Sequence, residues 1–208
     1  MEGKPPKPVD VSSESWVSSE KDPAYWQALG ELIEAFASAE TLLFNYLAMC
    51  AGITHHIART LLSGQHAEQI IGLIRRVWVV RPPDADVHEK MDDALCQFAK
   101  ISNARNSIVH HVSFVTSEKG RVSSNITRAF TANRAHEFRG SPNNMTDMIA
   151  DLEKISTHIL YAQNIISDPQ LSCDDLKRDL PALAASWRYI PPEDPGPSKP
   201  NRRRRNRH

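Results

Sequence analysis

The chain has 208 residues, 40% of them apolar and 24% charged, with 25 basic residues against 25 acids and a formal net charge of zero. That is length for one core-bearing domain with flexible ends, and it excludes fibrous, wholly disordered and membrane-embedded classes. The charge is unevenly placed: Lys199 and five arginines lie in the last ten residues without an acid, which leaves 19 bases against 25 acids elsewhere. An acidic body is not a broad electrostatic footprint for nucleic acid, so any such contact there must be local.

Residues 1–21 hold three prolines, several serines and lysines and few apolar groups, and read as a disordered leader. A globular domain is expected over residues 22–190. Asp22 before Pro23 makes a cap and first-turn pair, and Leu29, Leu32, Ile33, Phe36, Leu43 and Leu47 recur at helical spacing until Gly52. Glu40 lies on that apolar stripe, where a buried carboxylate needs a partner. Thr54 caps a short helix over residues 55–62, ended by Ser63-Gly64. A third helix over about residues 65–80 turns Ile70, Ile71, Ile74 and Val77 inward and stops at Arg81-Pro82-Pro83. A fourth starts near Asp84 and carries Val87, Met91, Leu95, Phe98, Ile101, Arg105 and Ile108 on one stripe, with His110 near its end.

After His111 the period changes. Val112, Phe114 and Thr116 alternate with polar neighbours, Ser117 to Gly120 make a turn, and alternation resumes at Val122: a β-hairpin. Residues 131–142 read as a polar loop. A last long helix over about residues 144–167 turns Met148, Ile149, Leu152, Ile155, Ile159, Ala162 and Ile166 inward and ends at Asp168-Pro169, with a further short helix over about residues 173–187. The predicted fold is all-α: an antiparallel helical bundle with a small β-hairpin inserted before the last long helix. Residues 191–208 read as a disordered basic tail rich in proline and arginine.

Cys50, Cys96 and Cys173 are odd in number and widely spaced, which points to reduced thiols and a cytoplasmic protein. No apolar run reaches membrane-spanning length and the polar N-terminus is no signal peptide, so the sequons at Asn125 and Asn144 read as chance matches. His55-His56 and His110-His111 diverge on a helix and have no Cys or acid at zinc spacing, so no metal and no cofactor is expected. Trp78 reads as core or interface and Arg75-Arg76 as a solvated face.

One run carries chemistry: Arg105-Asn106-Ser107-Ile108-Val109-His110. Arginine offers a fork of donors that suits phosphoryl oxygens, and histidine exchanges protons near neutral pH. Asn106 and His110 are four residues apart and share a helix face, and Arg105 is one step round. Without function, Arg105 is a partly buried cation paired with Glu40 or another acid.

This run resembles the R-[polar]-x3-H signature of the HEPN superfamily, the higher eukaryote and prokaryote nucleotide-binding domains. The long first helix with Glu40 in its second half, the motif late in a central helix and the closing long helix resemble that family over about residues 23–168. The resemblance implies a metal-independent endoribonuclease of toxin or antiphage type, working as a two-fold homodimer whose motifs face each other. It assigns catalysis to Arg105, Asn106 and His110, with His111 as an alternative histidine and Glu40 as a support for Arg105. The products would carry 2′,3′-cyclic phosphate ends. The partner is RNA, with a tRNA loop as a selective substrate that fits an acidic body, and a nucleotidyltransferase antitoxin is a further partner. Arg202, Arg203, Arg204 and Arg205 would add weak nucleic-acid contacts, and Lys100, Arg121 and Arg128 are the other cations near the motif. The alternative is a family member without catalysis, a helical binding or regulatory module of a toxin–antitoxin or defence system.

Overall fold

The computed structural model of the chain describes residues 22–110, 112–116, 120–124, 137–168 and 185–192. The leader, the tail from residue 193, His111 and Cys173 lie outside the described residues. Five helices follow one another: α1 (Pro23–Ala51), α2 (His55–Leu62), α3 (Ala67–Val80), α4 (Ala85–His110) and α5 (Pro142–Ser167). A small antiparallel sheet of β1 (Val112–Thr116), β2 (Gly120–Ser124) and β3 (Glu137–Arg139), in that order, lies between α4 and α5 in the chain. The fold class is all-α.

Local chemistry sets the helix ends. Asp22 Oδ1 accepts from the Tyr25 N–H at 3.1 Å, with Pro23 supplying the preset first turn. Gly52 closes α1 at φ +68°, and the Ile53 N–H donates to the Ala48 carbonyl at 3.1 Å, satisfying a carbonyl that the helix leaves open. Thr54 Oγ1 caps α2 through the Ile57 N–H at 3.4 Å, and Ser141 Oγ caps α5 through the Asn144 N–H at 3.2 Å. The start of α3 falls two residues later than the pattern indicates. There the His66 N–H donates to Gln69 Oε1 at 2.9 Å, which makes His66 the flanking residue.

The direction of each helix follows from its contacts. α5 packs chiefly on α1, and the Gln163 amide reaches the Leu42 carbonyl at 3.4 Å. α4 runs antiparallel to both. Phe98 stacks on Phe36 at 4.9 Å, and a Cβ at Gly140 would stand 3.8 Å from Ile108 and from Tyr25. The end of α4, the start of α1 and the start of α5 therefore meet at one end of the bundle. α3 lies against α1 and joins α4 through an exposed Arg75–Asp92 pair at 2.8 Å.

The core is one cluster centred on Leu32, Leu43, Ile74, Met91, Leu95, Phe98, Leu152 and Ile159, all essentially without exposed surface. Trp78 belongs to it. Ile33 and Ile166, expected inward, are each 40% exposed: Ile33 lies one step round α1 from buried Leu32, and Ile166 lies in the last turn of α5. β1 and β2 pair with Phe114 opposite Val122, and β3 adds to β2 with Ser123 opposite Phe138. β3 falls in what the sequence marks as a polar loop; cross-strand pairing, not local pattern, makes it extended.

A last segment, residues 185–192, lies on α4 and α5 without helical structure, so the short helix expected up to residue 187 does not include 185–187. The rest of that helix falls outside the described residues. The Asp151 carboxylate, buried in α5, receives the Arg188 N–H and the Tyr189 N–H, each at 2.9 Å, and the Gln97 amide at 2.8 Å. Gln97 also donates to the Tyr189 carbonyl at 2.8 Å. Burial pushes the Tyr189 phenol up to about 12. Trp187 donates its indole N–H to Asp93 at 2.7 Å under the Lys154 ammonium, which is 4.0 Å from the ring centre and also donates to the Ala185 carbonyl.

Candidate functional site

The last two turns of α4 carry the motif. Ile108 is buried and anchors this stretch beside Tyr25 and Met145, whereas Arg105 is half-buried and Asn106, Val109 and His110 are exposed. The 3.6-residue period explains the arrangement: Arg105 follows Phe98 and Ile101 on the apolar stripe, and Asn106 and His110 fall on the solvent side.

Arg105 keeps its place on that stripe through an aromatic platform. Its guanidinium carbon is 5.2 Å from the centre of the Phe36 ring, which itself stacks on Phe98 with planes 26° apart. A cation over a ring face in a partly desolvated position is stabilised by about 0.5–2 kcal/mol. Nη1 donates to Asn106 Oδ1 at 3.1 Å. Nε is buried and has no partner among the described residues. A guanidinium has five N–H donors; here Nη1 serves Asn106 and Nε is shut off from solvent.

The structure thus brings Arg105 and Asn106 together by a direct hydrogen bond. His110 closes the same helix one turn beyond Asn106, and no hydrogen bond joins it to either residue. His111 and Arg202 to Arg205 lie outside the described residues. Arg105 makes no ion pair with Glu40 or with any other described acid. The pair weighed as the non-functional alternative is absent among the described residues: Glu40 lies one turn past Phe36 on α1 and lines a groove toward α2 and α3.

That groove, of about 420 Å³, is the feature that sequence reasoning missed. It is bounded by Glu40, Thr41, Phe44 and Asn45 of α1, by His55 and Arg59 of α2, and by the turn from Leu62 to Gln65. The His55 ring meets the Phe44 ring edge-on at 5.9 Å. A neighbouring hollow of about 600 Å³ continues past Leu62 and Gln65 to Glu68, Gly72 and Arg76. The available signal was Glu40 itself, a carboxylate on an apolar stripe with no acceptor-hungry partner nearby in sequence.

Chemically, the end of α4 offers a guanidinium with no acid partner among the described residues and, one turn past Asn106, an exposed imidazole. Such a set can hold phosphoryl oxygens and exchange one proton at a time. Among the described residues no group of three or more His, Cys, Asp or Glu side chains is placed to hold a metal ion. No single helix among them is long and apolar enough to cross a membrane. The chain matches no protein-family model, no curated protein and no solved structure.

Proposed function

We propose that this chain is an endoribonuclease of HEPN type that cleaves RNA without a metal ion. The observation that carries the reading is the Arg105 guanidinium, held over Phe36 and tied to Asn106, late on the helix that His110 closes. RNA supplies the nucleophile. The 2′-oxygen attacks the neighbouring phosphorus and loses its proton to a base, the P–O5′ bond breaks, and an acid returns a proton to the departing 5′-oxygen. Arg105 stabilises the extra negative charge on the phosphoryl oxygens in the transition state.

One imidazole cannot be base and acid in the same step, so the reading calls for a second copy and a composite site on a two-fold axis. Val109 beside His110, and Trp26 at the same end of the bundle, are exposed apolar side chains that such a copy would cover. A toxin or antiphage role, a tRNA substrate and a nucleotidyltransferase antitoxin as partner belong to the same proposal.

A second reading is a binding module without catalysis. It is favoured by the same packing: a guanidinium laid on a ring and bonded to its own neighbour also serves as a structural contact. The deciding experiment incubates the wild type and an Arg105→Ala/His110→Ala variant with total tRNA and a long RNA in excess EDTA. Cleavage by wild type alone, leaving 2′,3′-cyclic phosphate ends, supports the ribonuclease. Equal cleavage by the variant removes the motif from the chemistry, and no cleavage of either RNA moves the assignment to the binding module.

A further inference from the structure

The groove between α1 and the α2–α3 turn contains two charged groups of opposite sign that do not use each other. Glu40 is half-buried, Arg59 is exposed, and neither makes an ion pair or hydrogen bond among the described residues. The same groove is lined by the Phe44 and His55 rings, set edge to face, and by Leu62 and Ile70. A ligand that satisfies this lining has a flat body, a pair of donors for the carboxylate and a negative charge for the guanidinium.

Position narrows the class further. Glu40 follows Phe36 by one helical turn, about 6 Å along α1. Phe36 is the ring that carries Arg105. Glu40, at one edge of the groove, therefore lies one step along α1 from the ring under Arg105, a rise comparable to one nucleotide of an extended strand.

We propose that this groove holds one unstacked guanine nucleotide of single-stranded RNA, next to the phosphate bound by Arg105. Guanine is the RNA base whose Watson–Crick edge presents two adjacent donors, N1–H and the N2 amino group, and a carboxylate accepts both. Adenine and cytosine place an acceptor beside their amino group, and uracil flanks its single N–H with carbonyls, so a carboxylate meets repulsion in each. The base packs against the Phe44–His55 ring pair, and Arg59 takes a neighbouring phosphate. Glu40, Phe44, His55 and Arg59 are then specificity and positioning residues. The substrate class rests on the ribonuclease reading; the binding does not need cleavage.

The test uses the full chain and fluorescent 2′-O-methyl pentanucleotides, which lack the nucleophile, with G, A, C or U at the centre of a uridine strand. Anisotropy is read for wild type, Glu40→Gln and Arg59→Ala. Both changes are at groove-lining side chains without partners among the described residues, and circular dichroism checks the fold. Wild type is expected to favour the G strand at least about fivefold, the lower end for a well-made bidentate contact. Glu40→Gln should erase that preference, and Arg59→Ala should weaken all four strands alike. Equal binding of the four strands, a preference untouched by Glu40→Gln, or no binding by wild type overturns the proposal. Cleavage is scored separately on unmodified strands. A protein that selects G through Glu40 without cutting removes the ribonuclease and leaves the groove. A protein that cuts with no dependence on Glu40 removes the groove and leaves the ribonuclease.

Discussion

Replacing Asp151 by Asn tests the physical account of how residues 185–192 are held. The carboxylate is 1% exposed and receives three donors: the Gln97 amide and the Tyr189 N–H on Oδ2, at 2.8 and 2.9 Å, and the Arg188 N–H on Oδ1, at 2.9 Å. An asparagine keeps one oxygen, which can still serve Gln97 and Tyr189. Its amide nitrogen then faces the Arg188 N–H, donor against donor. Hydrogen bonds to a charged group contribute about 1.5–3 kcal/mol each, and a buried donor left unmade costs a similar amount. The expected loss is about 2–3 kcal/mol, which for a domain of this size lowers the melting temperature by about 5–10 °C. Amide hydrogen exchange at Arg188 and Tyr189 is the local readout, and both amides should lose protection in the variant. An unchanged melting temperature with unchanged protection of these two amides would refute the claim that this carboxylate anchors the segment.

Three further substitutions probe a buried group and backbone geometry. His158 is 4% exposed beside Trp187, and its Nδ1 has no partner among the described residues. Burial, aided by the Lys154 and Lys90 charges and opposed by Asp93, pushes its pKa down to about 4. The folded state therefore resists a proton that the unfolded chain accepts near its ordinary value of about 6.5. Stability should be level above that value and fall as pH drops toward 4, by on the order of 3 kcal/mol in all. Urea unfolding at neutral pH and near pH 5 should show the fall in wild type and a smaller one in His158→Leu; the same pH dependence in both would count against it. At Gly52, φ is +68° and an added Cβ would stand 2.6 Å from the Arg81 guanidinium, so Gly52→Ala should cost about 1–2 kcal/mol. Gly30→Ala, where a Cβ meets nothing within 4 Å, should instead stabilise by about 0.5–1 kcal/mol, so thermal melts of the two should move in opposite directions.

Helix positions were legible because their signals are local. Asp22-Pro23, Gly52, Thr54 and Asp168 each act on backbone groups within a few residues, and the ends they mark appear in the structure. Non-local features left no comparable trace. Asp151 and Gln97 look like ordinary polar positions on helices, since their partners are backbone groups near residue 189, far away in the chain. β3 is three residues long, too short for alternation to show, and exists through its pairing with β2. Ile33 shows the limit of reading a stripe: residues 32 and 33 differ by about 100° round a helix, so only one of the pair can point to the centre of the core.

The site was half legible, and the misread half concerns where charge goes. A cation on an apolar stripe near a carboxylate on another stripe argues for a pair, because burying either alone is costly. Arg105 escapes that cost by another route. Its guanidinium lies on Phe36 while the residue keeps part of its surface in water, and Asn106 takes one donor. Glu40, turned toward α2, keeps part of its own surface in water at the groove. A direct pair would have spent the guanidinium's donors on an internal acid. Without it, the Arg105 guanidinium at the motif and the Glu40 carboxylate about a turn from Phe36 along α1 have no ion-pair partner among the described residues. Under the proposed reading, that local positive charge is what holds a polyanion to a surface that as a whole does not attract it.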